Sequence, residues 1–263
     1  MELVTLGAAA AGLGAIGASL RWNWWRLPKK GIPVLMYHRM GEPPPESRQK
    51  ALWISARRFE EQLDILLKNG YRAINFADME AGRIPEKPVV ITFDDGYLSQ
   101  YEIAFPILKK KGMTAVFYIV SEAVGKENMW HNAAEEPRQP MMDLGQIKAM
   151  IAGGMEMGSH AMTHTRFQDL SLDQARRELV ESKKKLESAL GVPMLSFAFP
   201  YGNGEDVPEL VEAAFESYKW VVGIHSGIWT NPNKRAAIPR LYIKRGENNF
   251  DLYLQLTRGR SRL

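Results

Sequence analysis

Five side chains able to do acid–base or metal chemistry lie where short apolar runs end. His38 closes "PVLMYH". Asp94 and Asp95 follow "VVITF". His160 ends "MEMGSH", and His164 comes four residues later in "SHAMTH". Imidazole nitrogens and carboxylate oxygens are the ligands that zinc takes at about 2.0–2.2 Å. Two His and one Asp with a position left open for water make a catalytic rather than a structural centre. If "SHAMTH" is one helical turn, the i, i+4 spacing puts both rings on one face. Adjacent carboxylates cannot both stay ionised without help. A metal would hold one as a ligand and leave the other to act as a base. Taken alone, Asp-Asp-Gly is a solvated turn and HxxxH is a weak signal; together they point to a metal site.

The elements that must position these groups alternate. Strands are expected at "IPVLMYH" (32–38), "YRAIN", "PVVITF", "TAVFYIV" (114–120), "MEMGSH", "LSFAFP", "KWVVGI" and "IPRLYIK". Helices are expected over 56–70, 99–111, 143–152, 171–191 and 206–217, from apolar spacing and from caps such as Ser171 and Gly191. A Pro-rich loop follows His38, and a long polar loop covers 121–142. Strands alternating with helices argue a parallel α/β architecture. In such folds the strand C-termini gather the chemistry, so the five groups would meet on one rim.

Composition sets bounds. The chain has 263 residues, no cysteine and a formal net charge of +4. Disulfides and cysteine-based zinc sites are therefore excluded. No nucleic-acid motif is present, and nothing calls for an obligate protein partner. The basic tail "TRGRSRL" reads as a frayed, solvated end. Residues 3–20 carry no charge and reach the length of a membrane span. "RWNWWR" follows, with Trp22, Trp24 and Trp25 placed as an interfacial aromatic belt. The reading is an N-terminal membrane anchor and linker over 1–30 and a catalytic domain over 31–263. A cleaved signal peptide and a soluble Ala-rich helix are the rivals.

"TFDDGY", "SHAMTH" and "FPYG" resemble, in order, the motifs of the polysaccharide deacetylase family, carbohydrate esterases acting on N-acetylated glycans. "PVLMYHRM" resembles the permuted branch that deacetylates poly-N-acetylglucosamine. The resemblance covers roughly 32–245. It implies a distorted (β/α)7-type barrel, here preceded by a transmembrane helix. It implies Asp95, His160 and His164 as ligands of a divalent metal, most simply zinc. Asp94 would be the general base and His38 the general acid. Pro200, Tyr201 and Gly202 would line the substrate groove, with the Tyr201 amide on the oxyanion. An N-acetylated glycan or glycolipid is the implied substrate.

The sequence departs from the family in two places. The arginine that usually precedes Pro-Tyr-Gly is missing from Ser196–Phe199, and Arg240 in "IPRL" is the candidate replacement. Ala161 stands where the family usually has Ser. His225 is a second candidate acid, ranked below His38. His131, beside Trp130, reads as an exposed loop histidine. Phe59, Phe93 and Phe117 read as core, while Trp220, Trp229 and Tyr97 are either core or sugar-stacking. A same-fold deformylase or other amide hydrolase and a catalytically silent glycan-binding module are the alternatives. Family resemblance places the domain outside the inner membrane, whereas Arg21, Arg26, Lys29 and Lys30 after the apolar stretch argue for the cytoplasmic face.

Overall fold

The computed structural model describes residues 17, 19, 21, 22 and 24–262. The anchor expected over 3–20 falls largely outside them. Among the described residues no helix is long and apolar enough to cross a membrane.

Strands β1 (Val34–Tyr37), β2 (Arg39–Met40) and β3 (Trp53–Ile54) lead into helix α1 (Ala56–Lys68). Next come β4 (Arg72–Ile74), α2 (Phe76–Glu80), β5 (Pro88–Phe93), α3 (Phe105–Lys110) and β6 (Val116–Ile119). Then follow α4 (Leu144–Ala152), β7 (Glu156–Ser159), α5 (Leu172–Leu190), β8 (Ser196–Ala198), α6 (Pro208–Ser217), β9 (Trp220–Val222), β10 (Leu241–Tyr242) and α7 (Asn249–Arg258). The main sheet is parallel, in the order β10-β1-β5-β6-β7-β8-β9, with β4 also paired to β5. Strands β2 and β3 pair separately.

The sheet curls. Segment 238–243 is bonded on one side to the β9 end, through Ile238 N–H to Val221 O and Gly223 N–H to Ile238 O. On the other side Ile243 N–H donates to Met36 O in β1. The sequence suggested one strand over "IPRLYIK". Pro239 has no amide to give, and regular strand pairing is confined to Leu241–Tyr242.

Side chains alternate between the two faces of a strand. Leu35, Tyr37, Ile91, Phe93, Phe117 and Val221 join the core that packs under the helices, with Phe59, Leu63 and Leu66 of α1. Phe93 and Phe117 stack at 4.7 Å, so the expected core aromatics are core. The even-numbered neighbours Val34, Val90, Val116, Tyr118, Ala198 and Val222 form a second cluster inside the curl, with Ile238 and Trp229. Carried on along β1, β5 and β7, this parity sends His38, Asp94 and His160 toward the same interior.

Helix ends follow local chemistry. Ser171 and Gln174 form a capping box at the start of α5, and Gly191 ends that helix in the left-handed conformation that glycine adopts without cost. Helix α7 was not anticipated. Phe250, Leu252, Leu254 and Leu256 alternate with period two, which mimics a strand. The Asn248–Asp251 capping box and Gly259 make it a helix. The tail after it is not frayed: Ser261 is buried.

Candidate active site

Asp94 and Asp95 are consecutive, so an extended chain would point them to opposite faces. Asp94 keeps the inward parity. Asp95 has φ 77°, a left-handed turn that brings the second carboxylate round to the same site. The four non-glycine residues with positive φ among the described residues are Asp95, Ala161, His164 and Tyr201. All four belong to this site or adjoin its histidines. Such conformations cost about 1–3 kcal/mol each and persist where the surroundings over-determine them.

His160 and His164 do not lie on a helical turn, as their spacing suggested. They flank an irregular loop turned by the left-handed Ala161 and His164. Glu178 of α5 holds this loop. Its Oε2 accepts the amides of Met162 (2.8 Å) and Thr163 (2.9 Å), and its Oε1 accepts the Thr163 hydroxyl at 2.8 Å. Gln100 does similar work below. Its buried amide donates to His38 O at 2.8 Å and to Asp94 O at 2.6 Å, tying the ends of β1 and β5 together. Neither residue was legible as a site residue in the sequence.

The Nε2 atoms of His160 and His164 lie 3.3 and 3.1 Å from Asp95 Oδ1. The three ligand atoms are mutually within 4.8 Å, and all three residues are buried. His160 Nδ1 is 2.8 Å from Ala198 O, an acceptor without hydrogen. Nδ1 therefore carries a proton, and in the neutral ring Nε2 turns its lone pair toward the carboxylate. Burial pushes His164 down to about 4, so it is neutral at neutral pH. Its Nδ1 is buried with no hydrogen-bond partner. Buried lone pairs converging on one point are costly unless a cation satisfies them. Tetrahedral ligands at about 2.0–2.1 Å stand about 3.3 Å apart, close to the spacing found here. The donor set fits a divalent metal.

Arg240 sits behind Asp94, fully buried. Nη1 and Nη2 donate to the two carboxylate oxygens at 2.6 and 2.7 Å, and Nε donates to Gly223 O at 2.6 Å. Burial works to raise Asp94, and the charge and hydrogen bonds of Arg240 overcome it, leaving the carboxyl below its ordinary value. His38 Nε2 is 3.9 Å from Asp94 Oδ2. Burial lowers the His38 pKa, against the pull of Asp94 and Asp95.

Tyr201 packs edge-on against His164 at 4.5 Å, and Trp130 stacks on the same imidazole at 4.3 Å. Pro200 is buried, and a Cβ on Gly202 would fall 2.2 Å from Ile224. Trp130 and His131 line the cavity, so the long loop contributes to the site instead of holding an exposed histidine. Tyr97 and Trp229 are buried, and Trp220 packs between Phe76 and Trp229. His225 is not brought in: its exposed ring is bound to Glu205 at 2.6 Å. The cavity that holds His38, Asp94, Asp95, His160, His164 and Tyr201 measures about 860 Å³.

A parallel α/β sheet with a buried carboxylate–imidazole cluster at its strand ends, beside a second carboxylate and a histidine, has the layout of a hydrolase. Comparison with known proteins sharpens this. The polysaccharide deacetylase family model matches residues 81–219, just over half of the chain. The chain belongs to the polysaccharide deacetylase family, and with it to the hydrolases of non-peptide carbon–nitrogen bonds. The poly-beta-1,6-N-acetyl-D-glucosamine N-deacetylase of Escherichia coli (strain K12) is 27% identical over 82% of this chain, which spans 37% of that enzyme's length. The solved structure of IcaB from Ammonifex degensii superposes with TM-score 0.70 at 29% identity, covering 88% of this chain and 97% of that one. The Streptococcus pyogenes deacetylase PplD, solved with acetate, gives 0.71 at 26% identity, covering 87% and 97%.

Proposed function

We propose that this protein is a metal-dependent N-deacetylase that removes the acetyl group from an amino sugar of an envelope polysaccharide or lipid-linked glycan. The observation that carries the reading is the convergence of Asp95, His160 and His164 within 4.8 Å beside the Arg240-bound Asp94. Family membership supports the reaction, and the named activity of the Escherichia coli relative supports an N-acetylglucosamine substrate.

In this reading Asp95, His160 and His164 hold the metal. When bound, it supplies a Lewis acid for the acetyl carbonyl and lowers the pKa of water. Asp94, kept ionised by Arg240, takes a proton from the attacking water. The Tyr201 amide donates to the developing oxyanion, while Pro200 and Gly202 fix that turn. His38 delivers a proton to the leaving nitrogen.

The test is bound metal per chain in the full-length protein, with His160→Ala and His164→Ala as comparisons. About one divalent ion per chain, lost in both variants, and acetate release from N-acetylglucosamine oligomers are expected. A folded protein that binds no added divalent ion would overturn the reading. The reading extends to placement: residues 1–30 as a single-pass anchor and linker in the inner membrane, and residues 31–263 as an extracytoplasmic catalytic domain. The uncharged stretch 3–20 supports it. A reporter fused at the C-terminus and active only in the cytoplasm would reverse the orientation.

A further inference from the structure

The cavity that holds the Asp–His cluster continues along a wall built by two turns. One is Lys244-Arg245-Gly246-Glu247 after β10; the other is Gly259-Arg260-Ser261-Arg262 after α7. Both are pinned. Glu247 accepts the Lys244 amide at 3.0 Å and the Gln255 side-chain amide at 3.1 Å, so the one acid of the first turn folds beneath it. Gly246 turns with φ 83°. Gly259, in the left-handed region, packs against the backbone of Gly227 and Ile228, where a Cβ would approach to 3.2 Å. The basic tail, which the sequence suggested was a loose end, is docked against the site.

Arg21, Lys244, Arg245, Arg260 and Arg262 line this side of the cavity, where Glu247 is the one carboxylate besides Asp94 and Asp95 of the Asp–His site. Arg245 is engaged with Glu42 and Arg262 with Asp251. Among the described residues no carboxylate lies within ion-pair distance of Lys244 or Arg260, and both are exposed to the cavity side of the molecule. A volume of about 860 Å³ lies toward the upper end of the usual range for ligand pockets, about 300–1,000 Å³, and leaves room beyond one reacting sugar ring. A concave wall of one charge sign concentrates ligands of the other.

We infer that this wall is an anion subsite, and that the substrate is an N-acetylated amino sugar carrying a phosphate-type group next to the reacting residue. The inference rests on the deacetylase reading and narrows its substrate class. The phosphate has two sources: a lipid-linked headgroup, or a phosphate on a soluble or polymeric saccharide.

The experiment uses the zinc-loaded full chain and three substrates that share one ring: the methyl glycoside of N-acetylglucosamine, N-acetylglucosamine 1-phosphate, and its alkyl-phosphate diester in mixed micelles. At low ionic strength kcat/KM for the 1-phosphate should exceed that for the methyl glycoside by about tenfold or more, with the advantage shrinking as salt screens the wall. In the Lys244→Gln/Arg260→Gln double variant the ratio should collapse toward one. A ratio near one in the wild type, or one that the double variant leaves unchanged, overturns the inference. A further gain for the micellar diester assigns a lipid headgroup; equal rates for both phosphates assign a soluble or polymeric saccharide. If no substrate releases acetate, the deacetylase reading fails, and the subsite is judged by inorganic pyrophosphate alone. A pyrophosphate-dependent rise in Tm, absent in the double variant, upholds the subsite, and no rise overturns it.

Discussion

Arg240 and Asp94 form a fully buried, two-pronged ion pair, with Nη1 and Nη2 each on a separate carboxylate oxygen. They are 146 residues apart, brought together where segment 238–243 meets β1 at the closing edge of the curled sheet. Removing one partner strands the other charge without water. Arg240→Met should destabilise the fold by roughly 3–5 kcal/mol, whereas an apolar pair of similar volume is often tolerated. The double variant Asp94→Leu/Arg240→Met should therefore recover most of the loss. Urea denaturation of the two singles and the double measures the coupling. Additive losses would show that the pair is not the unit described.

Glu178 makes no contact with the reacting atoms, yet it accepts three hydrogen bonds from the loop between His160 and His164. Groups that orient metal ligands commonly account for about 10–100-fold in metal affinity. Under the proposed function, Glu178→Ala should weaken divalent-metal binding by that order, measured by competition with a chelator. Glu178→Gln should fall between, because it keeps one acceptor oxygen but turns an amide group toward loop donors. Wild-type affinity in both variants would deny Glu178 this positioning role.

Glu178 and Gln100 mark the limit of what the sequence offers. Strand β5 was legible to the residue, because "PVVITF" is an unbroken β-branched and apolar run. That Asp95, His160 and His164 meet was legible from their places at strand ends, while their assignment as ligands rests on the family resemblance. The loop geometry was not. Spacing of four suggested a helical turn, while the left-handed Ala161 and His164 reflect tertiary packing that neither residue type advertises. Gln100 and Glu178 look like ordinary polar helix residues until the fold buries them. Arg240 was legible only through the resemblance, as the candidate replacement for the arginine missing before Pro-Tyr-Gly.

Glu156 opens β7 at the end of the sheet away from the site. Burial lifts its carboxyl from 4.5 to about 7, aided by Asp78 and opposed by the hydrogen bond from Ala77 N–H at 2.8 Å. The folded state thus holds a proton that the unfolded chain releases near pH 4.5. The sign follows: stability falls as pH rises from about 4.5 through about 7 and then levels, by up to about 3 kcal/mol at 1.36 kcal/mol per unit. Glu156→Gln keeps an acceptor for Ala77 and cannot ionise. Its Tm should vary less between pH 5 and 8 than that of the wild type and should lie above it at pH 8. A wild-type slope retained in the variant would assign the dependence to other groups.

Two histidines compete for the acid role, and their surroundings separate them. His225 is 65% exposed, tied by Nδ1 to Glu205 and 3.6 Å by Nε2 from Asp206, which raise its pKa and turn the ring away from the cavity. His38 lines the cavity, with Nε2 3.9 Å from Asp94 Oδ2 and its ring edge-on to Tyr242 at 5.7 Å. It is no part of the trio around Asp95, so under the proposed function removing it should leave the metal in place while disabling proton delivery. His38→Gln should lower kcat by about 10²–10⁴-fold, the usual span for a lost general acid, with zinc stoichiometry near one. His225→Gln should leave kcat near wild type. Single-turnover acetate release alongside metal analysis of both variants decides the matter: a large loss in His225→Gln with little in His38→Gln would move the acid role to the exposed histidine, and loss of zinc in His38→Gln would make His38 a ligand.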